Sequence, residues 1–324
     1  MSEIVLEHVT KTYVDADTSA VEDVSLSIES GSFVVLLGPS GCGKTTLLKM
    51  INRLFDPTSG TIMIGGKDTR DLEATSLRRR IGYVIQQVGL FPHMTVSQNV
   101  AVVPSLLNWS RERREARVRE LLDLVELPPD EYCSRYPAQL SGGQQQRVGV
   151  ARALAGDPDV VLMDEPFGAI DAITRATLQD EMLRLQRKLK KTVVFVTHDV
   201  EEALRLADLI VVMRQGRVVQ YDTPLRILTE PANDFVRDLV GAADMVRQLS
   251  LFRVEQAMKP LRVEAEAADI GNQSTIAFDD NLHHALTLLL YTGNTTLVVK
   301  EGREPVGCLS LDDIRASARS GGPG

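Results

Sequence analysis

Apolar positions along this 324-residue chain fall into two rhythms, and their alternation outlines the fold. The opening segment reads as strands separated by turns: Ile4–Val9, Val24–Ile28, then Phe33–Leu37 between Gly31 and Gly38. The last run is apolar at every position, the mark of a strand buried on both faces of a parallel sheet. After a glycine-rich stretch, Leu47, Leu48, Ile51, Leu54 and Phe55 recur at helical spacing and form one stripe able to pack on that sheet. Two more buried strands, Val160–Met163 and Val193–Val196, flank a helical segment, Ile173–Leu189. Strand, helix and strand in repetition predict an α/β fold with a parallel sheet.

Between about 90 and 140 the strand signals vanish. Ser97–Leu107 and Arg111–Leu127 read as helices, with Pro128 and Pro129 ending the second, so a helical insertion is expected there. A weaker helical pattern runs from Gly241 to Asp269. The chain then restarts as strand (Ser274–Phe278), helix (Leu282–Tyr291), strand (Leu297–Val299), strand (Val306–Leu309) and a short helix, with Gly302 turning between the last two strands. This divides the chain into a main domain over 1–240, linker helices over 241–270, a small α+β domain over 271–316 and a disordered tail over 317–324.

Composition changes the picture mainly by exclusion. The net charge of −8 speaks against nucleic acid as a partner, because proteins that grip phosphate backbones are usually basic. The basic run Arg78–Arg80 is short, and Arg111–Arg119 is interleaved with Glu112, Glu115 and Glu120, as on a solvated helix face. No run reaches the roughly 18–20 apolar residues that cross a bilayer. Met1–Thr10 carries acidic residues and no basic lead into an apolar core, so no signal peptide is read. Cys42, Cys133 and Cys308 are scattered and odd in number, as suits a reduced cytosol.

The chemistry concentrates at strand ends. Gly38-Pro39-Ser40-Gly41-Cys42-Gly43-Lys44-Thr45-Thr46 fits G-x-x-x-x-G-K-[ST] and lies between a buried strand and an amphipathic helix, the context that a P-loop needs. Such a loop turns backbone N–H groups onto phosphates at the positive end of a helix. Lys44 is then placed for the terminal phosphates and the Thr45 hydroxyl for Mg²⁺. Asp164 and Glu165 end another buried strand, so they are expected on the same side of the sheet, Asp164 in the metal shell and Glu165 polarising the attacking water. His198, after Val193–Val196, adds a third polar group that is placed to contact a γ-phosphate.

Leu140-Ser141-Gly142-Gly143-Gln144 resembles the signature motif of ABC-type ATPases, and the family's other motifs stand in order around it. Tyr13, in Val9-Thr-Lys-Thr-Tyr, matches the stacking aromatic; Gln86 matches the Q-loop glutamine, Asp171 the D-loop and His198 the switch histidine. The resemblance spans about residues 3–240 and implies a P-loop NTPase cassette with a mostly parallel core, an antiparallel N-terminal β part and a helical subdomain. It implies MgATP as ligand, with Thr45, Gln86 and Asp164 around the metal and Glu165, His198 and Gln86 in hydrolysis. It also implies a head-to-tail homodimer in which each ATP lies between one P-loop and the Ser141–Gln144 segment of the other cassette. From the residues alone, Ser141-Gly142-Gly143 offers a hydroxyl, backbone N–H groups and a helix start to an anion. One departure stands out: Gly168 and Ile170 occupy positions where the family usually has Ser and Leu.

One cassette and no membrane span imply separate integral-membrane permease subunits, a solute-binding protein acting through them, and a place on the cytoplasmic face of the cell membrane. Asp164–Arg175 and Pro231–Val236 resemble cassettes that import glycine betaine, choline and other osmoprotectants, with polar amino-acid import as the rival. Residues 274–315 resemble one cystathionine-β-synthase (CBS) repeat; Ser310-x-x-Asp313 fits either a ribose-contacting pattern or a helix cap. His283 and His284 read as surface residues. Two other classes compete: a non-transport ABC ATPase, against which stands the absence of a second cassette or long coiled coil, and a regulatory binding protein, against which stand Glu165 and His198.

Overall fold

The computed structural model describes residues 2–14, 16–85, 89–168, 172–241, 249, 252–260, 274–302 and 304–320. It divides into two compact units, Met1–Asp222 and Thr223–Gly324, so the division falls ahead of the expected 240.

The first unit opens with β1 (Ile4–Lys11), β2 (Val21–Ile28) and β3 (Phe33–Leu37), followed by α1 (Lys44–Ile51), β4 (Ser59–Ile64) and β5 (Lys67–Asp68). Strands β2-β1-β4-β5 form an antiparallel sheet. Next come α2 (Ala74–Arg78), β6 (Ile81–Val84) and the helical insertion, α3 (Val96–Val100), α4 (Val102–Leu106), α5 (Arg111–Leu124), α6 (Pro129–Tyr132) and α7 (Gly142–Leu154). The unit closes with β7 (Val160–Asp164), α8 (Ala172–Leu189), β8 (Thr192–Thr197), α9 (Val200–Leu206), β9 (Leu209–Arg214) and β10 (Arg217–Asp222). The second sheet runs β10-β9-β3-β8-β7-β6, parallel except for β10. Every residue of β3, β7 and β8 is buried, as uninterrupted apolar runs dictate.

Four helical expectations change. The stripe after the P-loop stops at Ile51: Arg53 turns left-handed (φ 49°) and the Leu54 amide bonds back to the Lys49 carbonyl, leaving Leu54 and Phe55 about two-fifths exposed. Ser97–Leu107 is two helices, because Pro104 has no N–H for the Val100 carbonyl one turn earlier. The helix from Arg111 ends at Leu124, before the prolines, with Glu126 left-handed at φ 56°. Pro129 instead occupies the first turn of α6, where its missing N–H costs nothing. Along α5, Arg111 pairs with Glu115 at 2.8 Å, Arg117 with Glu120 at 2.9 Å and Arg119 with Asp130 at 2.8 Å. Arg117 is also tucked in, donating to the Leu154 carbonyl at 3.1 Å.

The second unit begins with α10 (Pro224–Thr229), capped by Thr223, and α11 (Asp234–Val240), capped by Asn233 and stopped by Gly241. A short helix, Val254–Ala257, leads to a sheet of β11 (Lys259–Pro260), β12 (Thr275–Ala277), β13 (Thr296–Glu301) and β14 (Glu304–Ser310), ordered β11-β14-β13-β12. Helices Leu282–Thr292 and Leu311–Ser320 accompany it, and Phe252, Ile276, Leu289, Leu297, Val299, Leu309 and Ile314 form its core. The last helix takes 317–320 out of the expected tail; 321–324 lie outside the described residues. Asp313 and Ser310 form a reciprocal cap at its start, and Lys259 Nζ meets the second Asp313 oxygen at 2.6 Å. His284 pairs with Asp280 at 2.5 Å and His283 is exposed.

Candidate functional site

Register brings the polar strand ends together. Leu37 of β3 pairs with Thr197 of β8, and Val196 pairs with Asp164 of β7. Gly38, His198 and Glu165 therefore leave the sheet at one edge, beyond the carboxyl ends of its parallel strands, where ligands of open α/β sheets sit.

The P-loop is shaped by contacts that only glycine permits. A Cβ on Gly38 (φ 155°) would lie 2.3 Å from the Met213 carbonyl oxygen, and one on Gly43 (φ 108°) would lie 2.3 Å from that of Ala20. Pro39, Ser40 and Gly41 face solvent, whereas Cys42 is buried. Lys44 is 5% exposed; its ammonium donates to the carbonyls of Gly38 at 2.6 Å and Pro39 at 3.1 Å. Among the described residues no carboxylate forms an ion pair with it. A buried cation held by carbonyl dipoles, with Cys42 Sγ 3.8 Å away, suits an arriving anion.

Thr45 donates its hydroxyl to Asp164 Oδ1 at 2.8 Å, joining α1 to the end of β7. Burial pushes the Asp164 carboxyl above its usual range, against the pull of the Thr45 hydrogen bond and of Lys49 and Lys44. Two hard oxygen donors, one of them a carboxylate that is costly to ionise alone, fit a divalent cation such as Mg²⁺. Tyr83 of β6 was not singled out by sequence reasoning. Burial, helped by the nearby Asp164 charge, pushes its phenol up to about 12. Its strand had no uniform apolar run to reveal it.

Glu165 departs from the strand. Its φ of 45° is unusual for a side chain with a Cβ, yet its amide still bonds to the Val196 carbonyl at 3.0 Å. Its Oε2 lies 3.3 Å from His198 Nδ1, with Glu165 mostly shielded and His198 open to solvent. A Cβ at Gly168 would meet the Glu165 carbonyl oxygen at 3.6 Å, an ordinary contact, so the departure at that position is not forced by space.

Tyr13 is 40% exposed, edge-on to Phe55 with centroids 6.2 Å apart and with Lys11 Nζ 5.6 Å from its ring centre. Ser141 and Gln144 form a reciprocal capping box on α7: the serine hydroxyl accepts from the Gln144 amide, and the Gln144 side chain accepts from the Ser141 amide at 2.9 Å. Ser141 and Gly142 are exposed, Gly143 is half-buried, and no hydrogen bond among the described residues joins this segment to the P-loop. Gln86 and Asp171 lie outside the described residues.

Comparison with known proteins agrees with this arrangement. The ABC transporter family profile matches residues 21–168. The chain is 48% identical over 316 residues to the carnitine transport ATP-binding protein OpuCA of Listeria monocytogenes, covering 97% of this chain and 76% of that one. It is 49% identical over 318 residues to the glycine betaine uptake system ATP-binding protein YehX of Escherichia coli K12, covering 97% of this chain and all of the relative. A dimeric structure of the ATP-binding cassette MJ0796 in a post-hydrolysis state, bound to ADP and Pi, superimposes with a TM-score of 0.62 at 38% identity, covering 68% of this chain and 98% of the cassette. The chain thus belongs to the ATP-hydrolysing, ATP-binding subunits of ABC transporters, in the group that includes these betaine and carnitine transport proteins.

Proposed function

We propose that this subunit powers uptake of glycine betaine, choline and related quaternary-amine osmoprotectants through separate permease subunits. The observation that carries the ATPase part is the Thr45–Asp164 pair set beside Glu165 and His198 at one sheet edge, over a P-loop whose lysine is buried. In this reading Gly38–Thr46 cradle the phosphates, with Lys44 on the terminal ones, and Tyr13 stacks on the base. Thr45 and Asp164, joined by Gln86, hold Mg²⁺, which supplies charge neutralisation at the phosphate oxygens. Glu165 orients the attacking water, and His198 contacts the γ-phosphate from the neighbouring strand end.

One chain leaves this site half-built. Ser141 and Gly142 are exposed and Gly143 is half-buried, presenting the start of a helix and a hydroxyl on an element that, among the described residues, makes no hydrogen bond to its own P-loop. A second copy packed head to tail places that segment, and Asp171, against the first copy's nucleotide, and the solved MJ0796 cassette is likewise a dimer. The subunit then works at the cytoplasmic face of the membrane, and a solute-binding protein delivers cargo to the permease from the other side. No helix among the described residues is long and apolar enough to cross a membrane. The quaternary-amine assignment rests on what the relatives carry, since a cassette never touches the transported solute. The CBS-like sheet of the second unit is proposed as a regulatory module; Ser310 and Asp313 are occupied by the cap and by Lys259, which favours the capping reading over a ribose contact.

The test is ATP turnover of the chain reconstituted with its permease in lipid vesicles, at low and high salt, with binding protein and glycine betaine, choline, proline or a polar amino acid. Stimulation by a quaternary amine, with salt dependence lost on truncation near Gly241, is the expected result. Stimulation by a polar amino acid alone, indifferent to truncation, would overturn the substrate and the regulatory assignment while leaving the ATPase.

A further inference from the structure

His198 has few contacts of its own to aim it. Its side chain is 59% exposed and reaches Glu165 at 3.3 Å, so the backbone on either side must set its direction. Thr197, the last residue of β8, donates its hydroxyl to Glu202 Oε2 at 2.6 Å and accepts the Asp199 amide at 2.9 Å. That single oxygen closes a loop across His198. Asp199 in turn caps α9, its Oδ1 accepting the amides of Glu201 and Glu202 at 2.8 and 3.2 Å.

Glu202 is 5% exposed. A carboxylate this deep is costly unless its oxygens are satisfied, and both are engaged: Oε2 by Thr197, Oε1 by Gln179 Nε2 at 3.3 Å, with Arg175 Nε 3.9 Å away. Arg175 Nη1 also lies 3.5 Å from Asp199 Oδ2. Gln179 and Arg175 both stand on α8, which begins directly after Asp171.

We propose that Glu202 is a positioning residue for ATP hydrolysis: through Thr197 it fixes the backbone that aims His198 at the reacting phosphate, and through Gln179 and Arg175 it ties that aim to α8. The proposal rests on the reading of His198 as a phosphate contact. A glutamate that merely stabilised the α8–α9 packing would need Gln179 and Arg175 alone. The Thr197 hydroxyl, shared with the residue beyond His198, has no part in that packing.

The full chain, labelled on its histidine rings, has five imidazoles, and His198 is identified by the signal lost in His198→Ala. Thr197→Val removes the hydroxyl at nearly constant volume, and Glu202→Met removes the acceptor. Each is expected to shift or broaden the His198 resonance, leave the other four in place as proof of folding, and lower kcat about tenfold or more with KM for ATP little changed. Thr197→Ser and Glu202→Gln, which keep the hydroxyl and an acceptor, should restore both readouts. A folded Thr197→Val or Glu202→Met protein with wild-type turnover, or with lost turnover and an unmoved His198 signal, overturns the proposal. Should one of the pair not fold, the other carries the comparison. Wild-type turnover in His198→Ala would instead show that the phosphate-contact reading itself is wrong, and the proposal falls with it.

Discussion

At the scale of single residues, strain and burial mark the chemistry. Glu165 keeps a left-handed backbone that costs about 1–2 kcal/mol for a residue with a Cβ, and it does so where its carboxylate faces His198. Glu165→Gln is expected to bind ATP, to accumulate as an ATP-bound dimer on size-exclusion chromatography, and to lose roughly 100-fold or more in turnover. Turnover near wild type would remove Glu165 from hydrolysis. Glu181 of α8 behaves differently. It lies 3.2 Å from Arg147 of α7, yet burial, with the Glu126 carboxyl adding to it, pushes it up to about 7. Between roughly pH 4.5 and 7 the folded chain therefore holds a proton that the unfolded chain releases, and stability falls as pH rises through that window. Urea unfolding across that range should show the slope in the native chain and a flatter profile in Glu181→Gln.

At the scale of elements, what could be read from the chain was what burial writes into it. Strands β3, β7 and β8 were legible because both faces are covered, leaving no polar interruption. Strand β6 was not, because Gly82 breaks its apolar run. The glycine is there for α7: a Cβ would sit 2.6 Å from the Ala153 carbonyl oxygen. Gly82→Ala should accordingly cost about 1–3 kcal/mol in denaturant unfolding. Strands β9 and β10 were readable in principle, since Gln215 and Gly216, both at positive φ, make the two-residue turn of a hairpin. Helix ends were the weakest point, because a side chain can take the left-handed conformation expected of glycine, as Arg53 does, and a proline can open a helix as readily as close one. Of the site, the P-loop, Asp164, Glu165 and His198 were found from motif and strand context. Thr197 and Glu202 were not, because their pairing depends on the turn between β8 and α9 and on no sequence spacing of known chemistry. The signature serine is both cap and proposed ligand group. Ser141→Ala should cost about 1 kcal/mol of stability through the cap, and a loss of turnover beyond what that small destabilisation explains would separate the second role from the first.

At the scale of the whole molecule, the first unit has two sheets and the second has one, each unit with its own core, and the two follow different chemistries. The first gathers acid, base and cation at one sheet edge. The second satisfies its polar groups internally, Asp313 by Ser310 and Lys259, His284 by Asp280. Among the described residues, the P-loop lysine has no carboxylate in ion-pair contact and instead meets the carbonyls of Gly38 and Pro39. The bracing of that loop has a thermodynamic consequence. Gly38 abuts the Met213 carbonyl, Gly43 the Ala20 carbonyl, and the Cys42 carbonyl accepts the Gly216 amide at 3.0 Å, so two separate stretches of chain, the β9–β10 hairpin and the chain entering β2, hold the cradle in shape. Its ordering entropy is thereby charged to folding, before any nucleotide arrives. Titration calorimetry of nucleotide with one chain should accordingly show a small heat-capacity change, with the larger apolar burial deferred to the later closing of two chains upon each other.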